Sequence, residues 1–338
     1  MVQAARGDWT DALNSAVEWR NRSLENPKPA DVQIADARLH LNDASGALKQ
    51  LEPWLAGAKA APAQNAPLLR IEAISLTHAG RNAEAQSLLQ PLLSQDVSWR
   101  AVWLQLAVNA TKSADEAADW IHQVESVSPD TDAINIAFAW SGVGERFKDA
   151  GAYSKATALL EKIIAAPNAP ADAYLVLGSL RQQAGKMDDA IKLFRSALAV
   201  APASHAAKNN LAYLLLLSNG DLKEAASLSE QAVTADPNNS AYHDTLARIK
   251  AKGGDWAGAL DSFQTAVRAD SGNIEAMIGL ADSQIHNNRR DKAGLTLQQI
   301  DTMLQANPTI DANAKAQLDA VREAMKTPAD GSKVSITK

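Results

Sequence analysis

The sequence predicts an all-α protein made of repeated helix-turn-helix units. Alanine, the strongest helix former and a weak strand former, supplies 67 of the 338 residues, whereas phenylalanine and tyrosine supply four each. A short signature, in which alanine follows glycine by five positions, recurs through the chain. On both sides of each signature the apolar residues follow helical spacing. Together these observations argue against a core built on a β-sheet.

The recurring signature marks the turn of each unit. Asparagine replaces glycine at Asn42 and Asn288, which is the expected exchange at a turn residue with left-handed backbone conformation. A degenerate copy lies at 112–117, and successive turns are 32 to 39 residues apart, so the unit is about 34 residues long. The glycine copies pair Gly7 with Ala12, Gly80 with Ala85, Gly151 with Ala156, Gly185 with Ala190, Gly220 with Ala225 and Gly254 with Ala259.

Each turn is predicted to join two helices of about 14 residues. Around Gly185, for example, Leu177 precedes the turn and Phe194 follows it at helical spacing, and a proline ends the second helix. Small residues recur where the two helices approach most closely, as with Gly178 facing Ala190. A side chain of one carbon or none at these positions lets the two backbones come close together.

Composition excludes several classes of protein. With 33 basic and 39 acidic residues the net charge is −6, which argues against a nucleic-acid binder or a binder of anionic membranes. The chain has no cysteine, which excludes disulfides, thiolate metal sites and cysteine nucleophiles. No apolar run approaches the roughly 18 residues of a membrane span, and the N-terminus carries no apolar signal segment, so we expect no membrane insertion. We expect a soluble chain, and the sequence leaves the cytoplasm and the periplasm equally open.

The repeat resembles the tetratricopeptide repeat family, whose fingerprint is W-x2-L-G-x2-Y, then A-x3-F, then P, in 34 residues. In the copy over 171–204, Tyr174, Gly178, Ala190 and Phe194 occupy fingerprint positions. The resemblance covers roughly 300 residues, and the chain is similar to multi-repeat arrays of bacterial type. It implies a right-handed α-solenoid of about nine repeats with a C-terminal capping helix, in which the first helices line a concave groove. Copies at 137–170, 205–239 and 240–273 match nearly as well, and those at 28–65, 66–99, 100–131 and 274–307 match loosely.

The two halves of the chain differ in charge and regularity. Residues 1–136 carry 17 acidic and 11 basic residues with irregular repeat spacing, whereas 137–338 carry 22 of each with nearly constant spacing. Pro53 and Pro91 lie inside predicted second helices, and each is expected to kink or end its helix. We therefore expect an irregular sub-array over 1–136, a regular sub-array over 137–307, a capping helix over 308–326 and a disordered tail over 327–338.

The first sub-array begins inside a repeat, because residues 1–27 hold a turn and a second helix but no first helix. Either the chain is a fragment of a longer protein, or this half-unit serves as a cap. Apolar surface around Leu13, Val17 and Leu24 would then be only partly covered. This open N-terminal face predicts self-association or fraying.

No catalytic, cofactor-binding or metal-binding residue is predicted. The six histidines are never closer than 38 residues in sequence, and only His205 and His243, one repeat apart, are candidates to meet. Gly142 and Gly144 lack the third glycine of a dinucleotide loop, and Gly185 lacks the partners of a phosphate loop. Acidic pairs at the starts of second helices are explained by the helix dipole.

The groove positions are assigned by the family resemblance. Family members that hold a C-terminal carboxylate need lysine and asparagine at places where this chain has Leu175, Ser179 and Ala241, so that clamp is absent. Asn209 can donate and accept hydrogen bonds with a peptide backbone, and Tyr213 offers a flat apolar face. The candidate groove residues are Ser179, Asn209, Tyr213, Asp244, Arg248, Glu275 and Asp282.

The sequence therefore favours a non-enzymatic scaffold that binds a peptide, helix or protein surface of a protein partner in its concave groove. One alternative is a targeting or regulatory array of a larger enzyme, or of a bacterial envelope-polysaccharide or secretion assembly. Another alternative is a self-assembling structural array. Beside these three interpretations, a solvated groove that binds no ligand is the simplest one. Trp19, Trp54, Trp99 and Trp120 have no assigned core position, and any of them that is exposed is a candidate anchor for a partner.

Overall fold

The computed structural model describes residues 8–128, 130 and 132–326, and all regular structure in these residues is helical. The predicted all-α architecture of helix-turn-helix pairs is thereby confirmed. The chain divides into two compact units, Met1–Pro167 and Asn168–Lys338. In the part of the chain that the structure describes, no helix combines the length and apolar character needed to cross a membrane. The predicted tail at 327–338 and the turn glycine Gly7 lie outside the described residues.

In the first unit, neighbouring helices pack on one another along the chain. The closest pairs are α1 with α2 and α9 with α10. The helices are α1 (Trp9–Arg22), α2 (Lys28–His40), α3 (Ala44–Leu51), α4 (Leu55–Ala60), α5 (Ala66–His78), α6 (Asn82–Leu89), α7 (Val97–Ala110), α8 (Ala114–Val127), α9 (Ala133–Phe147) and α10 (Ala150–Ile164).

The second unit contains four regular helix pairs and one further helix. Each pair packs on the next, and the last helix packs mainly on the first helix of the fourth pair rather than on the second. The helices are α11 (Ala171–Gln183), α12 (Met187–Val200), α13 (His205–Leu217), α14 (Leu222–Ala235), α15 (Ser240–Lys252), α16 (Trp256–Ala269), α17 (Ile274–His286), α18 (Arg290–Ala306) and α19 (Ala312–Lys326).

Five predicted turn residues adopt the left-handed conformation. Gly80 and Gly185 have φ of 73° and Gly254 has φ of 84°. Asn42 and Asn288 have φ of 62° and 58°, which confirms that asparagine replaces glycine at these turns for its tolerance of positive φ.

At two turns the left-handed residue is not the predicted glycine. Gly151 lies inside α10, and Lys148 has a φ of 54°, because α9 ends at Phe147 and only two residues separate it from α10. At the second of these turns the left-handed residue is Asn219, with φ of 52°, which directly precedes Gly220. Gly220 serves a different purpose, since an added Cβ would lie 3.2 Å from the carbonyl oxygen of Leu215.

Both helix-breaking prolines act as predicted. α3 ends at Leu51, where a 3-10 turn over Glu52–Trp54 contains Pro53. α6 ends at Leu89, and a 3-10 turn over Gln90–Leu92 contains Pro91. Proline removes a backbone donor and clashes with the preceding turn, so the second helices here are 8 residues long, against 14 in α12.

The close approach of paired helices depends on a ring packed on a glycine. An added Cβ at Gly178 would lie 2.6 Å from Cε1 of Phe194, so Phe194 of α12, rather than Ala190, occupies the space that the missing side chain leaves. Both Phe194 and Ala190 are fully buried. The ring and the glycine therefore fix the separation of α11 and α12 together. The same arrangement recurs within the pair of α9 and α10, at Gly144 with Tyr153, and a similar contact between successive pairs joins Gly279 of α17 to Phe263 of α16.

The C-terminal helix, expected over 308–326, begins at Ala312. Asp311 caps it, because its Oδ1 accepts hydrogen bonds from the backbone N–H groups of Asn313 and Ala314 at 2.8 and 2.9 Å. Its predicted apolar face is buried: Ala314, Leu318 and Val321 belong to one cluster with residues of α17 and α18.

The division after Pro167 separates two compact units, whereas the boundary expected near residue 136 separates irregular from regular repeat spacing. The irregular sub-array over 1–136 and the regular one over 137–307 therefore stay predictions. They would be tested by the exchange rates of backbone amides along the chain, which report how cooperatively neighbouring repeats open.

We expect Gly178→Ala to destabilise the second unit. Alanine gains up to about 1 kcal/mol in helix propensity, but overpacking against the buried Phe194 ring costs about 1–3 kcal/mol. Gly294→Ala in α18 is the matched control, since its added Cβ would meet only Cε of Met325 at 3.9 Å and should stabilise. Denaturant unfolding of both variants tests the contact, and stabilisation by both substitutions would contradict it.

Candidate functional site

A cavity of about 580 Å³ lies in the second unit among α13, α15, α17 and α19. Its volume falls in the range typical of ligand and peptide pockets. The walls combine apolar side chains with a few polar groups. The lining residues are Tyr213, Leu216, Leu217, Arg248, Ala251, Lys252, Trp256, Phe263, Ile278, Gly279, Asp282, Asn313, Gln317, Ala320 and Val321.

Three of the seven predicted groove residues line this cavity, namely Tyr213, Arg248 and Asp282. They come from α13, α15 and α17, which are the first helices of three successive pairs. This is the placement expected for side chains at equivalent positions of stacked repeats. Burial raises the pKa of Tyr213, so its hydroxyl remains a hydrogen-bond donor over the physiological range.

Arg248 joins three helices through its guanidinium group. Its Nε donates to Oδ2 of Asp244 at 2.6 Å within α15, and its Nη2 lies 3.5 Å from Oε2 of Glu275 on α17. Its Nη1 donates to Oε1 of Gln317 on α19 at 3.3 Å. Because these contacts engage Nε and both terminal nitrogens of the guanidinium group, Arg248 holds the wall of the cavity in place. Asp244 and Glu275, both predicted groove residues, therefore contribute through Arg248 and do not line the cavity.

The remaining two predicted groove residues, Asn209 and Ser179, also lie outside the lining of the cavity. Asn209 on α13 is 7% exposed, and its Oδ1 has no hydrogen-bond partner among the described residues. The hydroxyl of Ser179 donates to the backbone carbonyl of Leu175 at 3.2 Å within α11. Neither side chain offers the open polar surface that its groove position predicted.

Asp282 lies at the α17 wall, where Oδ1 is 3.6 Å from Nε2 of His286. Burial raises the pKa of the Asp282 carboxyl, and the nearby imidazole partly opposes this change. The ring of His286 in turn stacks on Trp256 with centroids 3.6 Å apart. The carboxylate of Asp282 and the indole of Trp256 thus line this side of the cavity, and the imidazole of His286 contacts both of them.

Sequence reasoning missed Trp256 and the whole contribution of α19. Trp256 is half-buried, with its ring against His286 at the cavity. Asn313 and Gln317 are polar side chains of a helix that was predicted only as a cap. The alternation of buried Ala314 and Leu318 with polar Gln317 on α19 was the available signal, because the polar positions must face something other than the core.

The four tryptophans without an assigned core position differ in how far their side chains are exposed. Trp99 and Trp120 are buried, and Trp54 donates from Nε1 to Oδ2 of Asp31 at 3.0 Å. Trp19 is 40% exposed on α1, so it is the one of these four with a ring on the surface.

The two histidines one repeat apart, His205 and His243, contact different groups. Nδ1 of His205 lies 2.8 Å from the hydroxyl oxygen of Tyr242, and Nε2 of His243 lies 2.9 Å from the carbonyl oxygen of Pro237. Across residues 8–128, 130 and 132–326, no group of three or more metal-ligating side chains of His, Cys, Asp or Glu converges.

Two sequence models described as tetratricopeptide repeat match the chain, one over 143–199 and 175–240 and the other over 251–318. No curated protein matches the chain. Among solved structures, the chain is similar to MamA 41-end from Desulfovibrio magneticus RS-1, with 16% identity and a TM-score of 0.45 over 53% of this chain and 98% of that one. It is also similar to MamA AMB-1, with 22% identity and a TM-score of 0.44 over 53% and 99% of the two chains.

We expect Asp282→Asn to stabilise the second unit more at about pH 7 than at about pH 3. The raised pKa means that the folded state holds the Asp282 proton more tightly than the unfolded state does. Stability is therefore lost as pH rises through the carboxyl titration, and asparagine removes that loss. Since the side chain is 36% exposed, the gain should stay below about 1 kcal/mol. Asp261→Asn, an exposed aspartate of α16, is the control, and equal changes in melting temperature for both variants would contradict the assignment.

Proposed function

Because the chain is a tetratricopeptide repeat protein, we propose that it is a non-enzymatic scaffold that binds a peptide or helical segment of a partner protein in the cavity of its second unit. Stacked repeats present extended binding surfaces formed by equivalent helices. The observation that carries the proposal is the convergence of Tyr213, Arg248 and Asp282 from three successive pairs on one cavity.

The composition of the cavity suits a segment with one apolar face. Leu216, Leu217 and Ile278 supply apolar contact, and Leu217 is 47% exposed at the end of α13. Tyr213 and Gln317 supply groups that hydrogen-bond to a backbone or to polar side chains. Apolar anchors beside a small number of fixed polar groups are typical of grooves that bind helices and extended peptides.

Charge pairing supports binding rather than catalysis. Arg248 is engaged by Asp244 and Glu275, and Asp282 lies beside His286. A catalytic site needs a nucleophile or base aimed at a substrate, whereas these charged groups are directed at one another. We propose modest, micromolar affinity with moderate dependence on salt, since most of the contact would be apolar and the charges at the rim are screened.

We expect Leu217→Gln to weaken partner binding by about tenfold, because it removes the exposed apolar anchor at the cavity. Leu295→Gln is the matched control, since Leu295 is a leucine of α18 that is 67% exposed and lies outside the cavity lining. Partner capture from the native source, followed by titration of the purified partner, compares the two variants. Equal weakening, or none, in both would place the binding surface elsewhere.

A second candidate function is self-association through α1. Val17 on α1 is 39% exposed, and Leu24, two residues beyond the end of the helix, is 81% exposed. Trp19 adds a further exposed ring. We propose that a second copy of the chain covers this apolar surface.

We expect the weight-average mass of the parent chain to rise with concentration in sedimentation equilibrium. The double substitution Val17→Gln with Leu24→Gln should abolish that rise because it removes the apolar surface of α1. Val200→Gln with Leu295→Gln removes two exposed apolar residues of the second unit and should leave it unchanged. A parent chain that stays monomeric at every concentration would exclude this function.

A further inference from the structure

The first unit contains a separate cavity of about 350 Å³ with a carboxylate in its wall. Leu69, Glu72 and Leu76 of α5 line it at helical spacing, and Leu88 of α6 lines the opposite side. The break at Pro91 shortens α6 and places the 3-10 turn at the cavity. The repeat irregularity of this unit thus creates a recess in which leucine and proline side chains surround three charged groups, Lys59, Glu72 and Glu84.

Glu72 is buried and incompletely paired. It is 4% exposed, and Nζ of Lys59 lies 3.2 Å from its Oε1. Its Oε2 is shielded from solvent and has no hydrogen-bond partner among the described residues. A buried acceptor left without a donor costs about 1–3 kcal/mol, and more when the group is charged. One oxygen of this carboxylate is therefore available to a donor that enters the cavity.

The second carboxylate at the cavity, Glu84, is already satisfied. Its two oxygens accept hydrogen bonds from Nε and Nη2 of Arg81 at 2.6 and 2.7 Å. Lys59, by contrast, is 52% exposed on the short helix α4, so its ammonium group can move into water. Glu72 is thus the carboxylate that an incoming cation would meet, and Lys59 is the group that it would displace.

We propose that this cavity binds an alkylguanidinium group, which replaces Lys59 on Glu72 and engages both carboxylate oxygens. A guanidinium presents a planar fork of donors that matches a carboxylate, whereas the ammonium of Lys59 contacts Oε1 alone. The aliphatic stem of the ligand would lie against Leu69, Leu76 and Leu88. Both a free alkylguanidinium and the side chain of an arginine in a partner protein carry this chemistry.

The probe is butylguanidinium, titrated by calorimetry at about pH 8, well above the ordinary pKa of glutamate. Butylurea, its neutral counterpart of the same shape, is the matched ligand control. We expect saturable binding of butylguanidinium and none of butylurea. Peptides with a central arginine or a central citrulline then distinguish the sources. Binding of the arginine peptide in addition to butylguanidinium, with no binding of the citrulline peptide, indicates a protein side chain, and binding of butylguanidinium without the arginine peptide indicates a free small molecule.

Two substitutions should change the affinity in opposite directions. Glu72→Gln keeps the shape and removes the charge, so butylguanidinium binding should weaken about tenfold or more. Lys59→Met keeps the aliphatic stem and removes the competing ammonium, so binding should tighten several-fold. Glu84→Gln, at a carboxylate that is paired with Arg81, is the control and should leave the affinity within about twofold.

The pH dependence has a defined sign. Burial raises the pKa of the Glu72 carboxyl, and the negative charge of Glu84 raises it further. The positive charges of Lys59 and Arg81 lower it, but the net result is a raised pKa. Binding to the ionised carboxylate should therefore weaken as pH falls through the Glu72 titration, whose pKa is raised from the ordinary glutamate value. Loss of this pH dependence in Glu72→Gln is expected.

The proposal would be overturned by either of two results. One is the absence of saturable butylguanidinium binding to both the parent chain and Lys59→Met, which would leave Lys59 and Glu72 as a purely structural ion pair. The other is unchanged affinity in Glu72→Gln, which would place the ligand elsewhere on the surface. Leu88→Trp, which fills the cavity and keeps the ion pair, should also abolish binding, and it replaces Glu72→Gln if that variant does not fold.

Discussion

The contact between an aromatic ring and a glycine of a neighbouring helix is the constraint on which the close packing of this molecule depends. Phe194 fills the space over Gly178 within the pair of α11 and α12, and Phe263 of α16 fills the space over Gly279 of α17, which joins two successive pairs. A ring packed on a glycine brings both backbones close and still fills the volume between them, which satisfies the need for dense packing without a cavity. Contacts of this kind hold helices close together both within a pair and between pairs. The first helices α13, α15 and α17 present Tyr213, Arg248 and Asp282 in register at one cavity.

The cavity of the second unit follows from that register and from α19. Equivalent positions of α13, α15 and α17 place Tyr213, Arg248 and Asp282 around one space, which α19 borders. Leu318 and Val321 attach α19 to the core that contains Met277, so the helix covers apolar surface of α17 and α18. The same helix presents Gln317 to Arg248 on its polar side. One helix therefore both completes the core and limits the size of the cavity.

Features that repeat along the chain were predictable, because each copy confirms the others. The turn asparagines Asn42 and Asn288 were assigned by comparison with glycines at the same place, and their positive φ confirms this. Lys148 gave no such signal, since its left-handed conformation is imposed by the two-residue connection between α9 and α10 rather than by its own preference. The all-α class and the helix pairing follow from periodicity, whereas single backbone exceptions do not.

Candidate sites were predictable only as far as the repeat places them. Tyr213 was found because its position repeats, but the engagement of Arg248 by Gln317 joins residues 69 apart in sequence and has no periodic signal. Glu72 was overlooked for a different reason. It lies between Leu69 and Leu76 on the buried face of α5, and a carboxylate on an apolar face is a local signal that comparison between repeats does not reveal.

Two other buried carboxylates of the first unit show that the adjoining cavity sets Glu72 apart. Asp31 is 2% exposed, and both of its oxygens accept hydrogen bonds from side chains of the chain itself, so its burial is compensated within the fold. Asp132 is fully buried, and its Oδ2 accepts a hydrogen bond from Nε of Arg100 at 2.5 Å, but its Oδ1 has no hydrogen-bond partner among the described residues. Incomplete pairing alone therefore does not imply a ligand. Glu72 combines an unpartnered oxygen with a cavity beside it, and that cavity gives a donor from outside the chain a place to bind.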